Sequence, residues 1–168
     1  RYGRGGTQPT ITDAHLILGR LDPETFLGGE FRLDRAASEK CFDDFLRRAR
    51  RAGRKLGGAW RTREELAAGI IAVGNATMEK ALRVISVERG YDPREFSLVA
   101  FGGAGGLHAA ELTQRIGAQR ALVPPHPGLL CAYGMLAAPV TREVARTVLI
   151  ETDRSAWAAE VEDRLDAL

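Results

Sequence analysis

The feature that most constrains the fold is a short apolar segment that leads directly into a cluster of glycines. Residues 96–101 are almost wholly apolar, and their length and composition are typical of a strand buried on both faces. Residues 102–106 follow at once with the sequence Gly-Gly-Ala-Gly-Gly, and residues 107–116 then show a helical pattern that ends at Gly117. A buried strand that turns directly into a helix is typical of layered folds, so the sequence predicts the α/β class.

The rest of the chain supports the same class. Thr12 and Asp13 are candidate N-caps for a first short helix, and Asp153 or Ser155 for a last one. Strands and helices alternate along the second half, which favours a layered sheet with helices on its faces. The further predicted elements are helices at residues 14–18, 38–52 and 129–136, a C-terminal helix with Trp157, Val161 and Leu165 on one side, and strands at residues 121–123 and 144–150.

A long helix between the two halves is the clearest single element. Thr62 and Glu65 have the spacing of a capping box, and the helical pattern continues from there to Gly90. Its length of about 27 residues corresponds to roughly 40 Å, enough to cross a whole lobe. Gly69 and Gly74 each cost about 1 kcal/mol of helix stability relative to Ala. Their presence therefore predicts that another backbone or a ligand packs closely against this helix.

The glycine cluster has the chemistry of a ligand site. Main-chain N–H groups at the start of a helix are unpaired and carry partial positive charge, and glycines let a phosphate or a flat base approach them. The spacing differs from the Walker and dinucleotide motifs, and glycines also make tight turns without any ligand. Both interpretations stay open. The stiff loop at residues 124–128 is likewise either the wall of a pocket or a rigid turn.

Three side chains are candidates for a polar site. His108 lies in the first turn of the helix after the glycines, where it binds a ligand, binds a metal or packs, and where the neutral form is favoured. Asp13 is either a site residue or a helix cap. Asn75 lies on the apolar side of the long helix, so it either braces a neighbouring loop or reaches a ligand. His15 and His126 lack acidic or Cys neighbours at ligand spacing, and we expect them at the surface or in loops.

Composition excludes several classes of function. The 24 basic and 22 acidic residues give a net charge of +2, which does not favour nucleic acid as a partner. The basic residues between positions 47 and 55 are expected to form the solvated face of a helix. No apolar run is long enough to span a bilayer, and the two distant cysteines predict no disulfide framework. We therefore expect a cytoplasmic protein, and the first residue, Arg1, predicts a piece of a longer chain.

Several motifs resemble the hydantoinase A/5-oxoprolinase family, which includes N-methylhydantoinase and the acetone carboxylase beta type. They occur in the family's order and cover roughly residues 1–150, which is more specific than any single motif. They are Tyr-Gly-Arg-Gly-Gly-Thr at residues 2–7, Pro-Thr-Ile-Thr-Asp-Ala at 9–14, Gly-Arg-Leu-Asp-Pro at 19–23, Glu-Arg-Gly-Tyr-Asp-Pro-Arg at 88–94, Phe-Gly-Gly-Ala-Gly at 101–105, His-Ala at 108–109, Pro-Gly at 127–128 and Ala-Tyr-Gly at 132–134.

The resemblance implies an actin-like ATPase fold of the Hsp70/sugar kinase type. Residues 1–150 would form the C-terminal part of this ATPase region, with a helical insertion at 34–56, and residues 151–168 would begin a following segment or form a C-terminal helix. The catalytic residues remain unknown. No metal ligand is assigned, although Asp13 and His108 are candidates. The residues that would bind the nucleotide, on its adenosine side, are Gly102, Gly103, Ala104, Gly105 and Asn75.

The function implied by the resemblance is ATP-dependent hydrolysis of a small cyclic amide such as hydantoin or 5-oxoproline. The cofactor would be ATP with Mg²⁺ or another divalent metal, and the partner a hydantoinase B-type subunit or domain within a homo-oligomer. The alternatives are a subunit of a ketone carboxylase and a nucleotide-binding module without chemistry. The family's Asp-Gly-Gly-Thr phosphate loops are absent from these residues, so the fragment alone is expected to hydrolyse no ATP.

Three positions depart from the family's pattern. Gly106 stands where Pro is frequent, Cys131 where Ser is frequent and His15 where Asn is frequent. Gly106 should loosen the start of the helix, because Pro is preorganised for a first helical turn. These departures affect the predicted substrate more than the predicted fold.

Overall fold

The structure, a computed structural model, describes residues 6–51, 60–145, 147, 149 and 157–166. These residues form helices and a small parallel sheet, which confirms the α/β class. The chain divides into two compact units, Arg1–Cys131 and Ala132–Leu168. The elements are α1 (Ile11–Ile17), α2 (Arg35–Arg51), α3 (Arg63–Ile85), β1 (Ser97–Val99), α4 (Gly105–Ile116), β2 (Arg120–Leu122), α5 (Leu130–Ala137) and α6 (Trp157–Asp166).

The first helix begins earlier than predicted. Thr10, rather than Thr12 or Asp13, is the N-cap of α1, and its hydroxyl accepts a hydrogen bond from the main-chain nitrogen of Asp13 at 3.2 Å. In return, the main-chain nitrogen of Thr10 donates to the Asp13 carboxylate at 3.0 Å. This reciprocal pair is a capping box, which satisfies two main-chain donors at once. A single cap by Asp13 would satisfy fewer donors, so the sequence interpretation was wrong by three residues.

The capping box that was predicted for the long helix is confirmed. Thr62 caps α3, and its hydroxyl accepts from the main-chain nitrogen of Glu65 at 3.2 Å. The regular helix ends at Ile85, about one turn before the predicted end, because the Ser86 hydroxyl donates to the main-chain oxygen of Leu82 at 2.7 Å. A short 3₁₀ turn then carries the chain to Gly90, which adopts the left-handed conformation.

The apolar core of the first unit lies where α1, α2 and α3 meet. The prediction that another backbone or a ligand packs against the glycines of α3 is wrong for the described residues, since the close neighbours are side chains. A Cβ atom at Gly69 would lie 2.9 Å from the indole nitrogen of Trp60, and one at Gly74 would lie 3.3 Å from Ile11. The basic residues at the C-terminal end of α2 are exposed, as predicted for a solvated face; they are Arg47, Arg48, Arg50 and Arg51, whereas Arg54 and Lys55 lie outside the described residues. The core residues are Ala14, Ile17, Phe42, Leu46, Leu66, Ala67 and Ile71.

The sheet is smaller and more exposed than the sequence predicted. β1 and β2 pair in parallel, with Leu98 opposite Ala121. The expectation that residues 96–101 are buried on both faces is wrong for this chain, since Val99 and Phe101 are 46% and 48% exposed. The reason is that, among the described elements, α4 is the helix that packs most closely against this pair, while an open groove separates β1 from α3. In the predicted third strand, residues 144, 145, 147 and 149 belong to no strand, and 146, 148 and 150 lie outside the described residues.

Two further helices were predicted, one near residues 129–136 and one at the C-terminus. α5 and α6 confirm both, whereas the candidate caps Asp153 and Ser155 lie outside the described residues. None of the helices that the structure describes has the length and apolar composition of a membrane span.

The capping box of α3 predicts a specific loss of stability. Thr62→Ala should lower the free energy of unfolding by about 1 kcal/mol, because it removes the side-chain acceptor at the start of the helix. Urea unfolding of the two proteins measures this difference. Thr77→Ala is the matched control, since Thr77 is exposed in the middle of the same helix and Ala is the better helix former there. Equal losses for the two variants would contradict the role of the cap.

Candidate functional site

The candidate site lies at the carboxyl ends of the two parallel strands. β1 leads into the glycine junction at residues 102–106, and β2 leads into the proline loop at residues 124–128. The two segments are joined directly, because the main-chain nitrogen of Gly102 donates to the main-chain oxygen of Pro127 at 2.9 Å. Open α/β sheets bind ligands at this edge. Both segments that were singled out from the sequence therefore lie side by side.

The glycine junction is not filled by side chains. Gly102 has a φ of +82°, a left-handed conformation that favours glycine. A Cβ atom at Gly103 or Gly106 would meet nothing within 4 Å, and one at Gly105 would only touch Ala100 at 3.7 Å. The bend is therefore open where the sequence predicts contact with a ligand.

The start of α4 offers unpaired main-chain donors at this bend. Ala104 is its N-cap residue and supplies no side-chain acceptor. The main-chain nitrogen of Leu107 donates to the main-chain oxygen of Ala104 at 3.1 Å. The N–H groups of Gly105 and Gly106, at the very start of the helix, have no partner within it and are available to an anion or another acceptor. A groove of about 400 Å³ runs beside them between the second half of α3, β1 and α4. Its walls are mostly apolar and include Leu82, Ile85, Leu98, Phe101, Gly105 and His108.

Behind the junction, three buried polar side chains form a hydrogen-bonded chain. His108 Nδ1 lies 2.7 Å from Asn75 Oδ1, and His108 Nε2 lies 3.2 Å from His15 Nε2. Relative exposures are 0% for Asn75, 1% for His15 and 6% for His108. Because a carbonyl oxygen only accepts, we assign the proton of His108 to Nδ1. His108 Nε2 then accepts from His15 Nε2–H.

The two ends of this chain carry buried polar atoms without a partner among the described residues. They are His15 Nδ1 and Asn75 Nδ2. Burial is the main cause that lowers the pKa of His15 from 6.5 to about 4, followed by the nearby His108 and Arg20, while Glu111 opposes the shift. Burial, followed by Arg20, also lowers the pKa of His108, again against Glu111. Both rings are therefore neutral at pH 7, as was expected for His108.

The two candidate metal ligands are occupied by protein partners. Asp13 is buried and accepts hydrogen bonds from Thr10 and from the Ser38 hydroxyl. His108 uses both ring nitrogens in the chain described above. Within the described residues, no three His, Cys, Asp or Glu side chains are arranged to hold a metal ion. The assignment of Asp13 and His108 as metal ligands stays a prediction.

His126 and His15 differ in exposure. His126 is exposed in the proline loop, as expected, with a left-handed φ of +52°. The expectation that His15 lies at the surface or in a loop is wrong, since it is buried in α1. Its position between Ala14 and Leu16 in a short apolar helix was a usable signal of burial. Asn75 braces His108, and its contact with a nucleotide stays a prediction.

Comparison with known proteins identifies the family. The sequence profile of the Hydantoinase/oxoprolinase family matches residues 1–144. The chain belongs to this family. Caprolactamase subunit alpha from Pseudomonas jessenii is 38% identical over 152 residues, which are 90% of this chain and 20% of that protein. A 5-oxoprolinase from Dictyostelium discoideum is 34% identical over 80% of this chain and 11% of its own length.

Two solved structures contain the same fold. The crystal structure of ATP-dependent caprolactamase from Pseudomonas jessenii matches with a TM-score of 0.66 and 41% identity, over 79% of this chain and 18% of that one. The nucleotide-free structure of acetone carboxylase, which performs ATP-dependent acetone carboxylation, matches with a TM-score of 0.67 and 31% identity, over 82% and 18%. This member of the hydantoinase/oxoprolinase family therefore spans about a fifth, or less, of the relatives it matches.

The buried histidines predict a pH-dependent loss of stability. The pKa of His15 is 6.5 in the unfolded chain and about 4 in the folded protein, so between these pH values the unfolded chain binds the extra proton. Stability is therefore fully present above pH 6.5 and falls as the pH drops towards 4, by about 3 kcal/mol for the whole difference. Urea unfolding at several pH values measures it. His15→Gln should have a smaller loss, and an unchanged pH profile for this variant would contradict the assignment.

Proposed function

We propose that this chain supplies the adenosine side of the nucleotide site in an ATP-dependent cyclic-amide hydrolase. The observation that carries the proposal is the open glycine junction, at the carboxyl edge of a parallel sheet and at a helix start without a side-chain cap. At such a bend, ribose or phosphate oxygens can come close enough to accept hydrogen bonds from main-chain N–H groups. The apolar groove beside it offers a surface for the flat face of a base.

The finer architecture belongs to the same proposal. Residues 1–150 form part of a lobe of an actin-like ATPase, with a helical insertion at residues 34–56, and residues 151–168 begin a following segment. The likeness to two ATP-dependent enzymes supports this architecture. Gly102, Gly103, Ala104 and Gly105 contact the nucleotide. Asn75 is buried behind them, so it contributes by holding His108 in place.

ATP would supply the chemistry that activates a poorly reactive carbonyl oxygen, and the residues described here fit only its adenosine part. Acidic residues that position Mg²⁺ or another divalent metal are expected in the family's phosphate loops, outside these residues. The chain's own part is to bind and orient the nucleotide and to exclude water from its base. The name of caprolactamase subunit alpha supports a partner subunit, which we propose to be of the hydantoinase B type. We further propose a cytoplasmic homo-oligomer.

Identity to the relatives favours a cyclic amide as the substrate. The chain is 41% identical to the solved caprolactamase and 31% identical to the solved acetone carboxylase, over similar shares of its length. Ketone carboxylation is the second candidate, because the acetone carboxylase has an equally similar fold.

An assay of the full-length protein with its partner subunit tests this function. We expect ATP-dependent ring opening of caprolactam, hydantoin or 5-oxoproline, and no phosphate release from ATP by the 168-residue chain alone. ATP-dependent carboxylation of a ketone without any ring opening would replace the proposal by the second candidate. Metal-dependent phosphate release by the isolated chain would contradict the need for the phosphate loops.

A substitution at the glycine junction tests the nucleotide contact. Gly103→Val in the full-length protein should weaken ADP binding at least tenfold, because the branched side chain fills the open bend. Isothermal titration measures the affinity, and thermal unfolding shows that the variant is folded. Gly134→Val is the matched control, since a Cβ atom there also meets nothing within 4 Å. Equal ADP affinity for wild type and Gly103→Val would contradict the site.

A further inference from the structure

We infer that His15 is a positioning residue for the glycine junction and acts on it through His108. This inference rests on the nucleotide site proposed above. His15 belongs to α1, 93 residues before His108 in the sequence. The two rings meet edge to face, with centroids 4.7 Å apart and planes at 76°. The contact between His15 and His108 thereby links α1 to the first turn of α4.

The glycine junction needs such support from outside. Glycines have more backbone freedom than any other residue, so holding a run of them in one conformation costs conformational entropy. The open space around Gly103 and Gly106 shows that their neighbours do not hold them by packing. A main-chain bond from Gly102 to Pro127 fixes one side of the bend. On the other side, His108 is the first buried residue of α4 after the glycines.

His108 is fixed only when both of its ring nitrogens are paired. Asn75 Oδ1 accepts from Nδ1, and His15 Nε2–H donates to Nε2. Without the donor from His15, Nε2 would be a buried acceptor with no partner, which is costly. Since His108 also lines the groove, its ring would gain by turning Nε2 towards the groove and its solvent. Such a turn would break the bond from Nδ1 to Asn75, which anchors the start of α4 to α3, and would change the groove surface that meets the base.

Residue 15 therefore needs an N–H donor at the position that His15 Nε2 occupies, within reach of His108 Nε2. A Gln side chain places an amide nitrogen about as far from the main chain and keeps that donor. A Leu side chain fills similar space and removes it. His15→Gln and His15→Leu thus separate the hydrogen bond from the packing. Ile17→Val is a further control, because Ile17 is a core residue of the same helix and is not part of the polar chain.

Hydrogen exchange of the full-length protein measures the positioning directly. In His15→Leu, the hydrogen-bonded main-chain amides of Gly102 and Leu107 should exchange about tenfold faster than in wild type, the effect of one lost buried hydrogen-bond partner. His15→Gln should restore slow exchange, and Ile17→Val should not produce the local increase. The inference is overturned if exchange at the amides of Gly102 and Leu107 is unchanged in His15→Leu, or rises equally in His15→Gln and Ile17→Val.

ADP affinity separates the inference from the function on which it rests. We expect His15→Leu to bind ADP about tenfold more weakly than wild type, and His15→Gln to bind it nearly as well. If wild type binds no ADP, the proposed function fails, and the exchange experiment still decides the role of His15. If wild type binds ADP and His15→Leu binds equally well, positioning of the nucleotide site by His15 is refuted.

A measurement on the unchanged protein covers the case in which His15→Leu does not fold. Nitrogen-15 spectra of labelled histidine report which ring nitrogen carries the proton. We expect a neutral His108 with its proton on Nδ1 at pH 7. A proton on His108 Nε2 would make His15 the acceptor, and the inferred role of its N–H group would be wrong.

Discussion

The hydrogen bonds of His108 connect the helical core of the first unit to its small sheet. On one side, α1, α2 and α3 share an apolar core that is stable through packing. On the other side, the β1–β2 pair is short and half exposed, and β1 is followed by the glycine junction. His108 bonds to Asn75 of α3 and His15 of α1 and so ties the glycine junction to the well-packed part. The geometry of the candidate site depends on that connection.

The hydrogen-bonded chain of Asn75, His108 and His15 requires that both histidine rings are neutral. Two neutral imidazoles form a donor–acceptor chain, whereas a protonated His108 could no longer accept the hydrogen bond from His15 Nε2–H. Burial keeps the pKa values of both rings low, so the chain is intact at neutral pH. The same burial leaves one polar atom unpaired at each end. Buried polar groups that remain unsatisfied are characteristic of functional sites, which agrees with the position of the chain behind the glycines.

Local signals in the sequence predicted much of the fold. The capping box of Thr62 and Glu65 and the glycine turn at Gly117 depend on neighbours within a few residues, and both are confirmed. The second capping box, at Thr10, was missed although its signal is equally local. The exposure of β1 was not predictable, because burial of a strand depends on whether other segments cover it.

The candidate site was predictable in part. The glycine junction and the proline loop both follow strands, and parallel strands bring their carboxyl ends together. The bond between His15 and His108 joins residues 93 positions apart, so neither periodicity nor spacing reveals it. Asn75 was recognisable only as a buried amide in need of a partner, and the identity of that partner required the structure.

The most direct test of the account is a structure of the full-length protein with bound ADP. The account predicts adenosine atoms within hydrogen-bonding distance, about 3 Å, of main-chain atoms of residues 102–105, with the base against the apolar groove. It also predicts that the ring of His108 keeps its bonds to Asn75 and His15 in the complex. Nucleotide bound elsewhere, with the glycine bend covered by another part of the protein, would contradict the central claim.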